Sequence, residues 1–398
     1  MNILKTNTIN FFKPIGYQTP LNRPHKIVQN YQTNIYFGED CDVSKAYASP
    51  QIDKSIPKAR KIWSEFEKAD EIAILTHKYA DGDAIGTGLA LKHTLKEQYP
   101  DKKIDFIVPE GVPSFLKILP GADSVISGKD IPTLNENYLT VMVDCDERTV
   151  DGREIFNNAK TKVNIDHHES NINLKSNNEL YLIKDGASSA TEVLYNSLFR
   201  ALHIKPSKKA AECLLTGLIT DTGNFAYTKN KHNAIQTKDR LLNILYKNAH
   251  TYSTDTLLDK IHKNEQKSNE LGAVLDYVTS DEKKGKAISP NGVQADYFVL
   301  SQEDINNFNV TDSKVDIKSS INENINKHKS EAPITAFLWE TGDEDEVKLS
   351  LRSNEHVVKD FVEKFGGGGH AHAAGVTLHG QVQDVVSQFT TEIQNHNF

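Results

Sequence analysis

Carboxylates and imidazoles recur along this chain in short, separated clusters: His77-x-x-x-Asp81-Gly82-Asp83, then Asp144 with Asp146, then Asp166-His167-His168, then Asp221. Carboxylates brought together repel one another unless cations neutralise them, so a set like this suits divalent metal binding. Carboxylate with imidazole and no thiolate fits manganese, magnesium, iron or zinc, and the oxygen-rich balance favours manganese. Two ions sharing a carboxylate lower the pKa of a bound water and stabilise both oxygens of a phosphoryl displacement. Each cluster alone has a plainer reading: Asp-Gly-Asp as a turn, His-His as a surface pair, Asp144 as a helix N-cap. Their recurrence at the ends of successive predicted strands is what argues for a site.

The elements that must position these residues follow from the apolar pattern. Residues 72–76, 104–108, 139–143 and 163–165 read as short buried strands, and 84–95, 190–202, 210–219 and 234–246 as helices. The alternation predicts an α/β fold with a doubly wound, mainly parallel sheet, whose ligand sites lie beyond the carboxyl ends of the strands. A second pattern follows: a strand at 297–300, a hairpin-like pair at 334–339 and 347–351 around Gly342-Asp343, a helix at 356–365, a glycine run, a strand at 375–378 and a final helix from about Val382. This predicts a smaller α/β C-terminal substrate domain, with the catalytic cleft between the two. The expected boundaries are a mostly irregular extension at 1–57, a metal-binding catalytic domain at 58–247, a helical linker at 248–271 and the substrate domain at 272–398.

The composition narrows the partners. In 398 residues, Lys and Arg number 46 against 54 Asp and Glu, a formal charge of −8. That balance argues against coating long nucleic acid and leaves room for a small anionic substrate. No apolar run approaches the ~18 residues of a membrane span, and the N-terminal MNILKTNTINFFKP lacks the apolar core of a secretory signal. Cys41, Cys145 and Cys213 show no CxxC spacing, so neither a disulfide framework nor a thiolate zinc site is expected, and a cytoplasmic location is.

Two features of the second half could hold a substrate. Gly366–Gly369 precede His370; four glycines in succession read as neither helix nor ordinary strand. They let backbone N–H groups approach an anion, and leading into a short helix they would cradle one. The alternatives are a hinge or a helix C-cap after Phe365. Arg352 and Ser353 stand at a predicted strand end, where an arginine grips phosphate bidentately. Arg148, close after Asp144, is a lesser candidate of the same kind.

The order His77-x-x-x-Asp81-Gly82-Asp83-Ala84-Ile85-Gly86, Asp144, Asp166-His167-His168 and Thr220-Asp221-Thr222-Gly223 resembles the DHH phosphoesterase superfamily. Gly366-Gly367-Gly368-Gly369-His370 with Ala373-Ala374-Gly375 resembles its DHH-associated substrate domain. The likeness runs from about residue 72 to about 378 and is strongest to the nanoRNase and pAp phosphatase group. It implies two divalent ions, manganese first, with magnesium, cobalt or iron as alternatives. By that resemblance His77 and Asp81 hold the first ion, Asp83, His167 and Asp221 the second, and Asp144 bridges them. Asp166 orients the neighbouring imidazole. His168 acts at the scissile phosphate, and Gly368, Gly369, His370, Arg352, Ser353 and Arg148 contact substrate. The chain departs from the family pattern at Ala80, where proline is common, at Ala226, where arginine is common, and at Ala371-His372, where Lys-Asn is common.

The implied activity is hydrolysis of very short oligonucleotides or linear dinucleotides to 5′-mononucleotides, with pAp dephosphorylation. Long nucleic acid and membrane are not expected as partners, and a homodimer is compatible. The alternatives are an inorganic pyrophosphatase or polyphosphatase, a single-strand exonuclease, and a binding protein with a spent site.

Overall fold

In the computed structural model, which describes residues 55–398 except 129–132, 148, 169–178, 226, 227, 229, 247–253, 264–266 and 329–330, the apolar runs of the first half lie side by side as strands. They are β1 (Glu71–Leu75), β2 (Lys103–Ile107), β3 (Leu139–Val143), β4 (Thr161–Asp166) and β5 (Glu179–Ile183). All pairs are parallel, in the order β2-β1-β3-β4-β5. The helices are α1 (Ser55–Lys68), α2 (Gly82–Gln98), α3 (Arg153–Asn158), α4 (Ala190–Val193, continued by a π-helical turn over Leu194–Arg200), α5 (Lys208–Asp221), α6 (Lys231–Leu245) and α7 (Thr254–Lys263).

Both faces of the sheet are covered. Ile72, Ile74, Val141, Val143, Val163 and Ile165 pack with Leu89 of α2 and Leu214 of α5. Ala73, Leu75 and Met142 pack with Phe156 of α3 on the opposite face. Strands buried on two sides need apolar residues at every position, which is why they read as continuous apolar runs. β5 was not among the expected strands. The strand order reverses direction between β1 and β3, where open α/β sheets form their ligand crevice.

The second half adds α8 (Asn269–Val278), β6 (Gly285–Ile288), β7 (Gln294–Leu300), α9 (Gln302–Asn307), α10 (Lys314–His328), β8 (Ile334–Glu340), β9 (Glu346–Ser353), α11 (Lys359–Glu363), β10 (Gly368–His370), β11 (Ala373–His379) and α12 (Val382–Asn395). Six strands form a mixed sheet ordered β10-β11-β9-β8-β7-β6, in which β7 and β8 run parallel and the other pairs antiparallel. Val347, Leu349 and Leu351 of β9 join a core with Phe361 and Phe389. The intervening Lys348, Ser350 and Arg352 therefore point away from it, because side chains alternate along a strand.

Three expectations change here. The segment 248–271 is not one linker: Leu257 and Ile261 of α7 belong to the first core, whereas Leu271 and Val274 of α8 belong to a core with Phe298 and Trp339. The helix expected at 356–365 is the short α11. The glycine run leads into no helix. Gly366, at φ +81°, closes α11, with its N–H on the Glu363 carbonyl (3.0 Å) and that of Gly367 on the Val362 carbonyl (3.2 Å). Gly368–His370 then pairs with β11 as an edge strand, a conformation glycine adopts readily when a neighbouring strand supplies the hydrogen bonds.

Candidate metal centre

Each clustered residue is placed by the end of an element. His77 follows β1, and its backbone bridges to Val150 in the loop after β3. Asp81 is the N-cap of α2: its Oδ1 accepts the N–H groups of Asp83 (3.0 Å) and Ala84 (3.1 Å). Asp83 lies in the first turn of α2 and accepts the N–H groups of Ala190 and Thr191 (3.0 Å for Thr191), so it also caps α4. Asp144 follows β3 in the left-handed region, at φ +56°, and Asp166 is the last residue of β4. Asp221 is the last residue of α5 rather than a residue beyond it. Helices α2 and α5 approach so closely that a Cβ on Gly86 would lie 2.5 Å from the Cys213 carbonyl oxygen. A Cβ on Gly217 would lie 2.9 Å from Asp83 Oδ1. The glycines thus bring Asp83 and Asp221 to one place.

There four overlapping sets of side chains have candidate ligand atoms within 4.8 Å of one another; two of them, His77–Asp81–Asp144 and Asp83–His167–Asp221, share no residue, and the others add His168 with Asp144, Asp166, His167 and His370. Asp144 borders the first two, with Oδ2 3.8 Å from His77 Nε2 and Oδ1 3.4 Å from His167 Nε2. His167 Nε2 also stands 3.6 Å from Asp221 Oδ2 and 3.8 Å from Asp83 Oδ2. These separations are close to those of donors sharing one ion, which at bonds of ~2.1 Å stand roughly 3–3.5 Å apart. Asp144 Oδ1 is buried and accepts no hydrogen bond among the described residues. A buried carboxylate oxygen left so is costly unless a cation meets it. Burial pushes the Asp83 carboxyl up to about 7, against the pull of the Thr191 and Ala190 N–H groups. Burial, then Asp83 and Asp81, push Asp144 well above the carboxylate range. The donor set, its spacing and its unmet negative charge fit a pair of divalent ions.

Three imidazoles close one side. Asp166 Oδ1 accepts from the N–H of His167 (2.7 Å) and faces His168 Nδ1 at 2.8 Å. The ring that Asp166 orients is thus that of His168, whereas His167 Nδ1 faces the Ala187 carbonyl at 3.4 Å. Burial lowers the His168 pKa, but the Asp166 charge and hydrogen bond outweigh it, and the net shift is upward. His370, on β10, stacks on His168 with centroids 5.2 Å apart and stands 3.9 Å (Nε2) from Asp221 Oδ1. The residue after the glycine run therefore reaches the carboxylate centre, and Gly369, at φ +136° and against the Ala373 carbonyl, shapes the strand that carries it.

Three cations gather on the polar face of the second sheet and α10, near enough for Asp81 to act on Lys318, and sequence reasoning found only one of them. Arg352 donates to the Leu351 carbonyl (2.9 Å) and to Asn322 Oδ1 (3.4 Å), and burial holds it down to about 10. Lys318 of α10 donates to Ser350 Oγ (2.7 Å), and burial, then Lys348 and Arg352, push it well below the usual lysine value, partly offset by Asp81. Lys318 and Lys348 were missed, although the alternation Val347-Lys348-Leu349-Ser350-Leu351-Arg352 already marks Lys348 and Arg352 as one face. Ser353 does not belong to this surface. It is buried, donates to the Pro333 carbonyl (2.7 Å) and accepts the N–H groups of Glu355 (3.2 Å) and His356 (2.8 Å), so its hydroxyl is committed to the backbone. Gly368 has open space where a Cβ would be, whereas Arg148 and Ala226 lie outside the described residues. His372 is exposed and faces the His356 carbonyl (2.9 Å).

Residues 71–218 match the DHH family, N-terminal domain, and residues 307–395 match the DHHA1 domain. The chain is 24% identical over 317 residues to the bifunctional oligoribonuclease and PAP phosphatase NrnA of Bacillus subtilis, covering 78% of this chain and 90% of that protein. It is 27% identical over 339 residues to the Thermus thermophilus protein of the same name, covering 83% and 93%. In fold it is similar to an exopolyphosphatase-related protein from Bacteroides fragilis, with a TM-score of 0.65 and 24% identity over 85% of this chain and 95% of that one. A parallel sheet ending in Asp166-His167-His168, joined to a lobe that matches DHHA1, makes this chain a member of the DHH family of phosphoesterases.

Proposed function

We propose that this chain hydrolyses very short oligonucleotides and linear dinucleotides to 5′-mononucleotides with two divalent ions, manganese first, and that it also removes phosphate from pAp. The observation that carries the reading is Asp144, whose buried, unsatisfied oxygen lies where the two ligand groups meet. The names borne by the Bacillus and Thermus relatives, each aligned over at least 78% of this chain, support the substrate class.

His77, Asp81 and Asp144 would hold one ion, and Asp83, His167, Asp221 and Asp144 the other; magnesium, cobalt or iron would serve the same donors. When bound, the ions supply an activated water and positive charge at the scissile phosphate. The chain's own residues do the rest. Asp166 occupies His168 Nδ1, which leaves Nε2 to give a proton to the leaving oxygen, and the Asp166 charge favours the protonated ring against the burial that opposes it. Arg352, Lys318 and Lys348 take a terminal phosphate, and His370 closes on it from β10. A cationic surface within reach of Asp81, rather than an extended basic track, suits two to a few nucleotides. Buried free thiols at Cys145 and Cys213 agree with a reducing cytoplasm.

The test is a panel with manganese: a 5′-phosphorylated dinucleotide, a long single-stranded RNA, pAp and pyrophosphate. Turnover of the dinucleotide and pAp is expected. Failure on both overturns the reading, pyrophosphate as the preferred substrate replaces it with a pyrophosphatase, and processive degradation of the long strand with an exonuclease.

A further inference from the structure

Between His77 and Asp81 the chain makes a detour that metal binding alone does not require. Tyr79 is 5% exposed, and its ring lies not with the first sheet but in the core that holds Phe298, Leu271 and Trp339. The Trp339 ring is 5.5 Å away between centroids. Lys78 and Lys348 place Nζ 5.1 and 4.8 Å from the Tyr79 centroid. Lys78 also pairs with Asp343 (2.8 Å) and Glu346 (3.2 Å) at the β8–β9 hairpin, where Asp343 also meets Lys314 of α10. The side chains of two successive residues of the β1–α2 loop are thus fastened to the opposite lobe.

The backbone links that fastening to the centre. Tyr79 has φ +59°, a left-handed conformation in which a bulky residue is rare. That torsion sets the plane of the peptide joining Lys78 to Tyr79, and the Lys78 carbonyl of this peptide faces His77 Nδ1 at 2.9 Å. A histidine whose Nδ1 is held by a carbonyl presents Nε2, and here Nε2 faces Asp144. Glycine or asparagine would adopt the same torsion more readily; the buried ring is what a tyrosine adds.

We infer that Tyr79 is a positioning residue: its ring, seated in the second lobe, holds the peptide that orients His77, so the His77–Asp81–Asp144 half of the centre is assembled only while the lobes are together. This rests on the proposed reading of His77 and Asp81 as ion ligands. The Asp83–His167–Asp221 half is built on α2, α5 and the β4 end and does not depend on the latch.

The experiment is calorimetric titration of the ion-stripped full chain with manganese, free of substrate. Wild type is expected to bind two ions, and Tyr79→Phe to do the same. Tyr79→Gly and Tyr79→Asn, which accept the torsion but lack the ring, are expected to weaken one site ~10–100-fold and leave the other unchanged, the range for losing the support of a metal-bound histidine. Wild-type affinities at both sites in Tyr79→Gly overturn the inference, as does equal weakening of both sites. A wild type that binds no manganese overturns the ligand reading instead. Should Tyr79→Gly not fold, Asp343→Asn at the surface hairpin decides: it is expected to weaken the same single site ~3-fold by loosening Lys78, and unchanged affinities count against the latch.

Discussion

At the carboxylate centre of the first lobe, burial and neighbouring carboxylates push Asp83 and Asp144 up. On the β9 side, burial and neighbouring cations push Lys318 down, and burial does the same to Arg352. Each surface holds charge of one sign without enough of the other, so each is less comfortable in the folded chain than in water. Neither surface fully neutralises the other: the attraction of Asp81 for Lys318 is weaker than the burial that opposes it. The pairing makes sense for a molecule completed from outside, by divalent cations on one side and a phosphate-bearing substrate on the other. Stability that could have been gained by apolar residues has been given up at both faces.

The largest break in this comparison is Asp144→Ala, which removes the carboxylate that lies between the two ligand groups. It is expected to cut kcat by at least ~10³-fold and abolish binding of the second manganese in calorimetry. Two ions bound at wild-type affinity would show that Asp144 does not join them. His168→Ala leaves both ligand groups intact and is expected to lower kcat by ~10²–10⁴-fold with manganese affinity retained. A variant that loses the metal instead would move His168 into the ligand set. On the opposite surface, Lys318→Met is expected to raise KM roughly 10-fold with kcat little changed. The same change should raise the Tm of the substrate-free protein by a few degrees, because it removes a buried cation. A lower Tm would mean that the bond to Ser350 outweighs that burial.

The smallest effect tests the anionic face through pH. Asp83 titrates near 7 in the folded chain against ~3.9 unfolded, so the folded state keeps a proton that the unfolded state has lost between those values. That contribution to ion-free stability is therefore fully present below about 4 and lost as pH rises through about 7. A divalent ion bound there would supply the missing charge. The Tm gain on adding it is expected to grow from pH 5 to pH 8, as followed by thermal melts with and without chelator. A gain that is flat or shrinks with pH would remove the unmet carboxylates as its source.

Much of the first lobe was legible because its signals are local. Strands buried on two faces show as apolar runs, and DHH at a strand end or HxxxDxD before a helix needs only a few neighbouring residues to be seen. The second lobe was harder. The alternation over 347–352 separates a core face from a polar face, but nothing local says that the polar face is half-buried and joins a cation within reach of Asp81. Ser353 misled for the same reason: beside an arginine it resembles a phosphate contact, yet its hydroxyl is spent on the Pro333 carbonyl, twenty residues back in the chain. Whether the glycine run continues as helix or strand was not legible, because pairing with β11, a tertiary matter, decides it.

Residue types and their order along the chain were thus enough to set the element pattern of the parallel sheet and the recurring carboxylates and imidazoles near its strand ends, since these follow from side-chain chemistry and periodicity. Only the folded chain decided which imidazole Asp166 holds, that Lys318 and Lys348 join Arg352, and that Tyr79 leaves its own lobe for the other. Those outcomes depend on distances between residues far apart in sequence, and such distances come from packing, where a buried ring, a shared peptide plane or a missing Cβ determines which groups meet.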